Sequence, residues 1–423
     1  MENKVREIYK DDFTEYLLCL ALDVGEGMLK NGAEVGRVED TIERICRAYG
    51  AAHVEVFTII SVINAAIRMP DGSYSSQLRR VKQTSTNLNT LEGLNTLSRK
   101  ICREKPALEE FDSMLHELKN ERTYPKWMNI LASSVSTGAF CLFFGGGVLD
   151  SVIAFIIGAC IFLINNYSSP RLNSMAKTVM SSFFATMSAG LAHMAFPSVN
   201  CDSIIIGSIM LLVPGIMFGT AMRDLLCGDL IAGTLKILQA IIQTLMIGFG
   251  YMLSYAILDH RILSDVGTDK DLFLVQLITA LITSLSFAIV FKINRRHLAS
   301  AGICGLLTYA AYFGIERITA SFFWAAFISS AAAALFSETN ARISKMPTLV
   351  MLMPGIIPIV PGGYLYRTVR DLVCGDFSST FSNLAIAGEI ALGMAGGVVA
   401  LSILYGMIND GIKKKGINED KCK

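Results

Sequence analysis

From Trp127 to about residue 408, the chain is a succession of apolar stretches separated by short polar breaks. Each stretch is about 17 to 28 residues long, and a helix of roughly 20 residues crosses the ~30 Å hydrocarbon core of a bilayer. A helix also satisfies its own backbone hydrogen bonds in lipid. The sequence therefore predicts ten membrane-spanning helices, near residues 128–145, 150–167, 175–196, 203–221, 230–258, 271–293, 297–314, 318–337, 346–366 and 381–408.

The segment before these stretches is far more charged. Residues 1–126 contain 18 of the 37 Lys and Arg residues and 20 of the 36 Asp and Glu residues. Apolar residues spaced three and four apart predict helices over 12–30, from Glu34 to about Tyr49, from Asn87, and from Pro106 to about Glu121. A run rich in Val, Ile and Thr over 53–69, followed by a turn and a second run over 77–82, predicts two or three antiparallel strands. We therefore predict an α+β head domain at 1–126, followed by a polytopic α-helical membrane region.

Basic residues are unevenly divided between alternate loops of the predicted spans. The loops on the side of the head contain Arg171, Lys177, Arg223, Lys292, Arg295, Arg296, Arg342 and Lys345, and the tail adds Lys413, Lys414 and Lys415. The opposite loops contain Arg261, Lys270, Arg317, Arg367 and Arg370. Basic loops stay in the cytoplasm, and the first residues lack the apolar core of a signal peptide. We expect a multi-pass protein of the cell membrane with the head domain and the C-terminus in the cytoplasm.

Composition excludes several classes of function. The net charge of +1 provides no basic surface for nucleic acid. The ten cysteines form no C-x-x-C pair, and the five histidines are far apart in sequence, so we expect no metal site. No phosphate-binding G-x-x-x-x-G-K-[ST] motif occurs, so ATP is not the energy source. We expect no cofactor; the lipid bilayer is the expected partner, and a homo-oligomer is left open.

One motif occurs twice. Residues 213–229, VPGIMFGTAMRDLLCGD, and 360–376, VPGGYLYRTVRDLVCGD, are identical at nine of 17 positions, at an offset of 147 residues. Adding this offset to the bounds of a predicted span in the first half gives approximately the bounds of a predicted span in the second half. The repeating unit therefore contains five helices. An odd number of spans inverts the second copy in the membrane, as in many secondary transporters. We predict repeat 1 at 127–258, and repeat 2 with the basic tail at 259–423.

The repeated motif contains helix-breaking residues and charges. Proline removes a backbone donor and glycine permits unusual dihedral angles, so each Pro-Gly pair predicts an interrupted helix. Interrupted helices form the substrate sites of many transporters. The candidate substrate-path and gating residues are Pro214, Gly215, Arg223, Asp224 and Asp229 in the first copy, and Pro361, Gly362, Arg370, Asp371 and Asp376 in the second. In the alternative interpretation, the glycine after each Arg-Asp pair merely ends a helix and the pair stabilises a turn.

At this point the chain resembles the threonine/serine exporter family. The resemblance rests on the head segment from Asn31 to Glu39, on Tyr49-Gly50 and the turn after Met69, and on the interrupted membrane repeats. It implies export of small hydroxylated amino acids such as threonine or serine, driven by the proton gradient. We expect a membrane transporter and not an enzyme. A two-subunit branch of the family suggests succinate as an alternative substrate.

Proton coupling requires an ionisable group within the membrane. Glu389 lies inside the tenth predicted span and is our candidate proton carrier, because burial among apolar residues disfavours its charged form; the alternative is a structural hydrogen bond. Lys236 is a second intramembrane charge. Several polar residues are candidates for substrate contact or for bonds between helices: Gln239, Gln243, Gln276, Asn165 and Asn166.

In the head, Glu34, Arg37 and Glu39 form a polar cluster that matches the family pattern. We interpret the head as regulatory or gating, covering the inner mouth of the transport path. The alternative is a membrane-anchored hydrolase or sensor. Ser61, Ser73 and His53 are possible catalytic residues in that case, but no spacing supports them, and a mere anchor needs neither ten spans nor a duplicated helix break.

Overall fold

The computed structural model of the chain describes residues 12–82, 86–119, 124–169, 171–226, 228–258 and 273–420. The described residues are mostly helical, with one three-stranded sheet in the N-terminal part. The predicted outer loop at 259–270 and the motif residue Cys227 lie outside the described residues.

The N-terminal part combines four helices with the sheet. Its elements are α1 (Phe13–Lys30), α2 (Val35–Ala48), β1 (His53–Ile59), β2 (Val62–Arg68), β3 (Tyr74–Arg80), α3 (Leu88–Glu104) and α4 (Leu108–Lys119). The strands pair antiparallel in the order β1-β2-β3, with His53 opposite Arg68 and Val62 opposite Arg80. Buried Ile63, Ala65 and Ile67 alternate along β2, and α1 packs against β2 and β3. The predicted helices and strands are therefore present, while a separate domain at 1–126 stays a prediction.

The remaining described residues form the helices that we predicted as membrane spans. They are α5 (Lys126–Phe143), α6 (Val148–Tyr167), α7 (Ser174–Ala195), α8 (Cys201–Ile209), α9 (Gly215–Leu226), α10 (Leu230–Ile257), α11 (Phe273–Val290), α12 (Leu298–Thr319), α13 (Phe322–Ser344), α14 (Thr348–Ile356), α15 (Gly362–Val373) and α16 (Phe377–Asp420). The fourth predicted span of each repeat is interrupted, as α8 and α9 in the first repeat and as α14 and α15 in the second.

Six of these helical segments are long and apolar enough to cross a membrane: Val148–Tyr167, Leu230–Ile257, Phe273–Val290, Arg295–Thr319, Phe322–Ser344 and Phe377–Tyr405. A seventh span results if α14 and α15, which meet at a bend of 47°, count as one. The chain is thus a polytopic helical membrane protein. Ten spans stay a prediction, because the other described segments are either too short, as α8 and α9 are, or less apolar.

Small polar residues explain why α5 and α7 are less apolar. Ser133, Ser136 and Thr137 of α5 and Ser181 and Ser182 of α7 are buried against other helices. Serine and threonine allow close helix packing in membranes and find backbone acceptors there. Such residues lower the hydropathy of a helix without exposing polar groups to lipid.

Close glycine contacts recur at the offset of 147 residues. A Cβ added to Gly158 would lie 2.1 Å from Thr137 Oγ1, and one added to Gly305 would lie 1.8 Å from Ser284 Oγ. Gly250 on α10 packs in the same way against the backbone of α7, and Gly397 on α16 against the backbone of α13. The same pairs of helices therefore approach closely in the two halves of the membrane region.

The head packs directly on the membrane region. Leu88 N donates to Phe291 O at 2.9 Å, and Tyr124 Oη donates to Ile293 O at 2.6 Å. Beside these bonds, buried Glu92 of α3 lies 2.8 Å from Arg296 and 3.7 Å from His297. Burial raises the pKa of Glu92, but the hydrogen bonds and charges of His297 and Arg296 outweigh it, so the pKa falls below its ordinary value of 4.5.

We expect Glu92→Gln to destabilise this junction by about 1 kcal/mol, since it removes the charge of a buried carboxylate whose arginine partner is mostly exposed to solvent. The folded-state pKa is lowered, so the stabilisation is present above the unfolded pKa and is lost as the pH falls through the folded value. Melting temperatures in detergent should therefore differ between wild type and variant at pH 7 and converge in acid. The control is Glu104→Gln on the same helix, where the carboxylate pairs with Arg103 at the surface; an equal effect there would contradict the assignment.

Candidate functional site

The two Pro-Gly breaks cross each other. A Cβ added to Gly215 would lie 1.8 Å from Val360 Cγ1, and one added to Gly362 would lie 2.6 Å from Met210 Sδ and 3.2 Å from Val213 Cγ1. Each motif therefore uses its glycine to admit a side chain from the other motif. The structure brings Pro214-Gly215 and Pro361-Gly362 together, although they are 147 residues apart in sequence.

Backbone groups freed by the first break are satisfied locally. Gln243 of α10 donates its Nε2 to Leu212 O at 2.7 Å, and Leu212 N donates to Ile209 O. In a membrane, such non-helical backbone is tolerated only where protein or water supplies partners. Gln243, a candidate for substrate contact, instead stabilises the interrupted helix.

Beyond the second break lies a buried network that we call the far network: Asp202, Tyr366, Arg370, Asp371 and Asn383. Arg370 bridges Asp202 at 3.1 Å and Asp371 at 2.9 Å. Tyr366 Oη donates to Asp202 at 3.0 Å, and Asn383 Nδ2 donates to Asp371 at 2.8 Å. Since the Arg370, Asp202 and Asp371 side chains are all about nine-tenths buried, each charge depends on its partners.

Beyond the first break lies the head-side network: Glu34, Arg223, Asp224 and Lys236. Arg223 pairs with Glu34 of the head at 2.6 Å. Lys236, the second predicted intramembrane charge, pairs with buried Asp224 at 2.5 Å. Lys236 thus neutralises a motif carboxylate.

The two networks occupy corresponding positions of the two motifs. Arg223 and Asp224 match Arg370 and Asp371, and Lys236 matches Asn383, all at the offset of 147 residues. The position that corresponds to Asp202 is Leu349, which has no charge to offer. Glu34 of the head therefore supplies to Arg223 the carboxylate that Asp202 supplies to Arg370.

The alternative interpretation of the motif, a helix end, also holds. Gly228 and Gly375 have positive φ angles of 97° and 81°, the left-handed conformation that favours glycine after a helix. Asp229 N donates to Asp224 O, and Asp376 N donates to Asp371 O, both at 2.9 Å. The motif ends a helix and also places its charged pair against other elements.

The predicted head cluster does not form one site. Glu34 reaches Arg223, while Glu39 Oε1 accepts a hydrogen bond from Thr58 N at 2.7 Å. Arg37 lines a separate groove with Arg44 of the same helix. Burial raises the pKa of Glu39, opposed by the Thr58 N–H bond and reinforced by the charge of Asp229. Asp229 thus lies near α2, and Glu34 is the member of the predicted cluster that pairs with the motif.

The other two predicted residues have different surroundings. Asp376 is at the start of α16, where its carboxylate accepts a hydrogen bond from Ser379 N at 3.1 Å. Glu389 is exposed on α16, and the neighbouring Gly388 has open space beside it. The described helices therefore do not enclose Glu389, because its side of α16 faces away from the helices packed on that element. Its role in proton coupling stays a prediction.

Two cavities flank the crossing at corresponding positions. The far cavity, of about 150 Å³, is lined by Phe143, Gln276, Tyr309, Tyr312, Glu316, Pro358, Pro361, Tyr364 and Arg367, among others. The head-side cavity, of about 560 Å³, is lined by Asn87, Tyr124, Lys126, Asn129, Phe162, Asn165, Leu211, Val290 and Lys292, among others. Gln276, Tyr309, Tyr312 and Pro358 correspond to Asn129, Phe162, Asn165 and Leu211 at the offset of 147.

Sequence reasoning missed two acidic residues of these sites. Asp202 lies in the first turn of α8 and Glu316 in the last turns of α12. Both are carboxylates at the ends of apolar stretches, where an acidic residue is interpreted as the end of a membrane span. The signal that could have identified them is the offset of 147 residues. It aligns Asp202 with Leu349 and Glu316 with Ser169, so each carboxylate is present in only one of the two halves.

Comparison with known proteins agrees with this arrangement. Residues 19–258 match a family described as "Putative threonine/serine exporter", and residues 276–404 match a second, "Threonine/Serine exporter, ThrE". The chain belongs to the threonine/serine exporter family. The family resemblance inferred from the sequence is thereby confirmed, and this membership together with the six apolar spans makes the chain a multi-pass membrane protein of an amino-acid exporter family.

Several curated proteins are similar to this chain. The threonine/serine exporter of Corynebacterium glutamicum is 23% identical over 90% of this chain and 81% of its own length. A probable threonine/serine exporter of Mycobacterium tuberculosis is 23% identical over 96% of this chain and 79% of its own length. Pheromone-regulated membrane protein 10 of Debaryomyces hansenii is 23% identical over 76% of this chain, but over only 34% of its own length. No solved structure matches the chain.

We expect Gly215→Ala to destabilise this exporter-family protein by about 1–3 kcal/mol, because the added methyl group overlaps Val360 in a packed crossing. Combining it with Val360→Ala should recover most of the loss, which a double-mutant cycle of melting temperatures measures. The control is Gly388→Ala, where a Cβ meets no atom within 4 Å. Additive effects of Gly215→Ala and Val360→Ala would contradict the crossing.

Proposed function

We propose that this protein is a secondary active exporter of threonine and serine, coupled to protons, with its path at the interface of two inverted five-helix repeats. The head and the C-terminus lie in the cytoplasm, and the far cavity opens to the outside. The observation that carries the proposal is the pair of charged networks at corresponding positions on the two sides of crossed helix breaks. Named relatives that export threonine and serine support the substrate class.

The crossing supports a transport path rather than an anchor. Two interrupted helices meet where Gly215 packs on Val360 and Gly362 packs on Met210. A cavity lies on either side, lined by corresponding residues of the two repeats. An anchor for the head requires none of these duplicated features, whereas alternating access between two related halves requires all of them.

The two networks act as gates in this proposal. Asp202 belongs to repeat 1 and Arg370 to repeat 2, so their ion pair holds the repeats together on the far side. Glu34 and Arg223 hold the head on repeat 1 on the head side. In this proposal, breaking one ion pair while the other stays closed opens one cavity at a time, which is the requirement for export against a gradient.

Two kinds of carboxylate are available for proton coupling. Glu389 is the candidate from the sequence, and it lies about 18 Å along α16 from Phe377, at a depth near the bilayer centre. Asp224 and Asp371 are the alternatives, and both are buried in ion pairs. Protonation of either aspartate weakens its pair, so it would link proton binding to gate opening.

Purified protein in vesicles loaded with labelled threonine or serine should release the label, and faster with an imposed pH gradient. Glu389→Gln should abolish the stimulation by the gradient but leave exchange of internal for external substrate, because glutamine keeps the volume and removes titration. If Glu389→Gln responds normally, the same assay on Asp224→Asn and Asp371→Asn locates the coupling group. Absence of threonine and serine efflux from the wild type, with succinate released instead, would overturn the proposed substrate.

Opening one gate should change thiol labelling in the two cavities in opposite directions. In a cysteine-free background, Glu34→Gln should increase thiol labelling of Asn129→Cys in the head-side cavity and decrease labelling of Gln276→Cys in the far cavity. Asp202→Asn should do the reverse, since it frees Arg370. The matched control is Glu43→Gln on α2, the helix that directly follows Glu34, because this change removes only a surface pair with Arg47. Changes of the same sign in both cavities would contradict alternating gates.

A further inference from the structure

The far cavity combines an acidic and a basic side chain with a ring of hydroxyl and amide groups. We propose that it is the binding site for the zwitterionic head of a small amino acid, with Arg367 facing the carboxylate and Glu316 facing the ammonium group. This inference rests on the proposed function and assigns its substrate site. It places recognition in a cavity next to the duplicated motif, at residues outside that motif's Arg-Asp pairs.

The two charges come from different elements that meet at the cavity. Glu316 lies in the last turns of α12, and Arg367 lies in the middle of α15. An arginine presents a planar fork of donors that fits a carboxylate, and a carboxylate is the matching acceptor for an ammonium group. One acid and one base in a small cavity favour a zwitterion over an anion with two carboxylates.

Aromatic and amide groups complete the site. Tyr309 Oη donates to Gln276 Oε1 at 2.9 Å, and Arg367 lies over the ring of Tyr364, 5.8 Å from its centroid. The Gln276–Tyr309 pair holds an amide and a phenol at the cavity wall, where they can bond a substrate hydroxyl. Stacking on Tyr364 restricts the guanidinium of Arg367, which lowers the entropy that binding must overcome.

The volume of the cavity sets an upper limit on the side chain. A cavity of about 150 Å³ corresponds to the size that accommodates benzene in a protein core, so it has room for a ligand of about six to eight non-hydrogen atoms. Serine and threonine fall in this range. Phe143, Ile359 and Val360 line the same space and limit it at the crossing.

The head-side cavity lacks this pair of charges. The residues that correspond to Glu316 and Arg367 are Ser169 and Thr220, both uncharged. Its charged lining residues are Lys126 and Lys292, which have the same sign. The specific zwitterion site therefore lies on one side of the crossing. The larger head-side cavity is a less specific space through which the substrate enters.

The test is binding of labelled threonine to the purified full-length protein, with threoninol, which lacks the carboxylate, and 3-hydroxybutyrate, which lacks the ammonium group, as competitors. Glu316→Gln and Arg367→Gln should each weaken threonine binding by about tenfold or more, the loss expected for a hydrogen-bonded charge. The ratio of the affinity for threonine to the affinity for 3-hydroxybutyrate should fall in Glu316→Gln only. The ratio of the affinity for threonine to the affinity for threoninol should fall in Arg367→Gln only.

Matched controls are Ser169→Ala and Thr220→Ala at the corresponding positions of the first repeat, which should leave threonine affinity unchanged. Melting temperatures establish that each variant is folded, and Arg367→Lys, which keeps the charge, should recover part of the affinity if the arginine acts through charge. If both Glu316→Gln and Arg367→Gln bind threonine with wild-type affinity, the proposed site is overturned. Efflux at the wild-type rate would in that case leave the exporter function intact. A wild-type protein that neither binds nor releases threonine or serine would overturn the function itself.

Discussion

The contact between two glycines and the side chains that fill their space is the constraint on which the membrane region depends. Gly215 admits Val360, and Gly362 admits Met210 and Val213, so neither interrupted helix can keep its path without the other. Each break frees backbone groups that lipid cannot satisfy. The crossing and its neighbours, Gln243 above all, supply the partners.

Much of this arrangement could be predicted from local pattern. Periodic apolar residues located the helices of the head to within a few residues, and Pro-Gly located both breaks. The offset of 147 residues between the motifs also relates helices that make corresponding close glycine contacts. These features succeeded because each depends on residues close in sequence, on propensity, or on a duplicated motif.

The partners of the charges could not be predicted in the same way. Nothing local in sequence connects Glu34 with Arg223 or Asp202 with Arg370, which are 189 and 168 residues apart. The surroundings of Glu389 could not be predicted for a related reason, because the direction that it faces depends on which side of α16 packs against α13 and α15. A single sequence contains the period of that helix but not the identity of its neighbours.

The far network joins the two halves of the chain, and this has a consequence for how the chain can be divided. Asp202 and Arg370 lie in separate halves, as do Gly215 and Val360, so the noncovalent links between the halves are independent of the connection at 259–272. A protein cut in this connection would keep the Asp202–Arg370 pair, the interlocked crossing and the contacts of the head with residues 291–297 between its fragments. Glu34 and Arg223 stay together on the first fragment. The family models divide the chain at the same place, between residues 258 and 276.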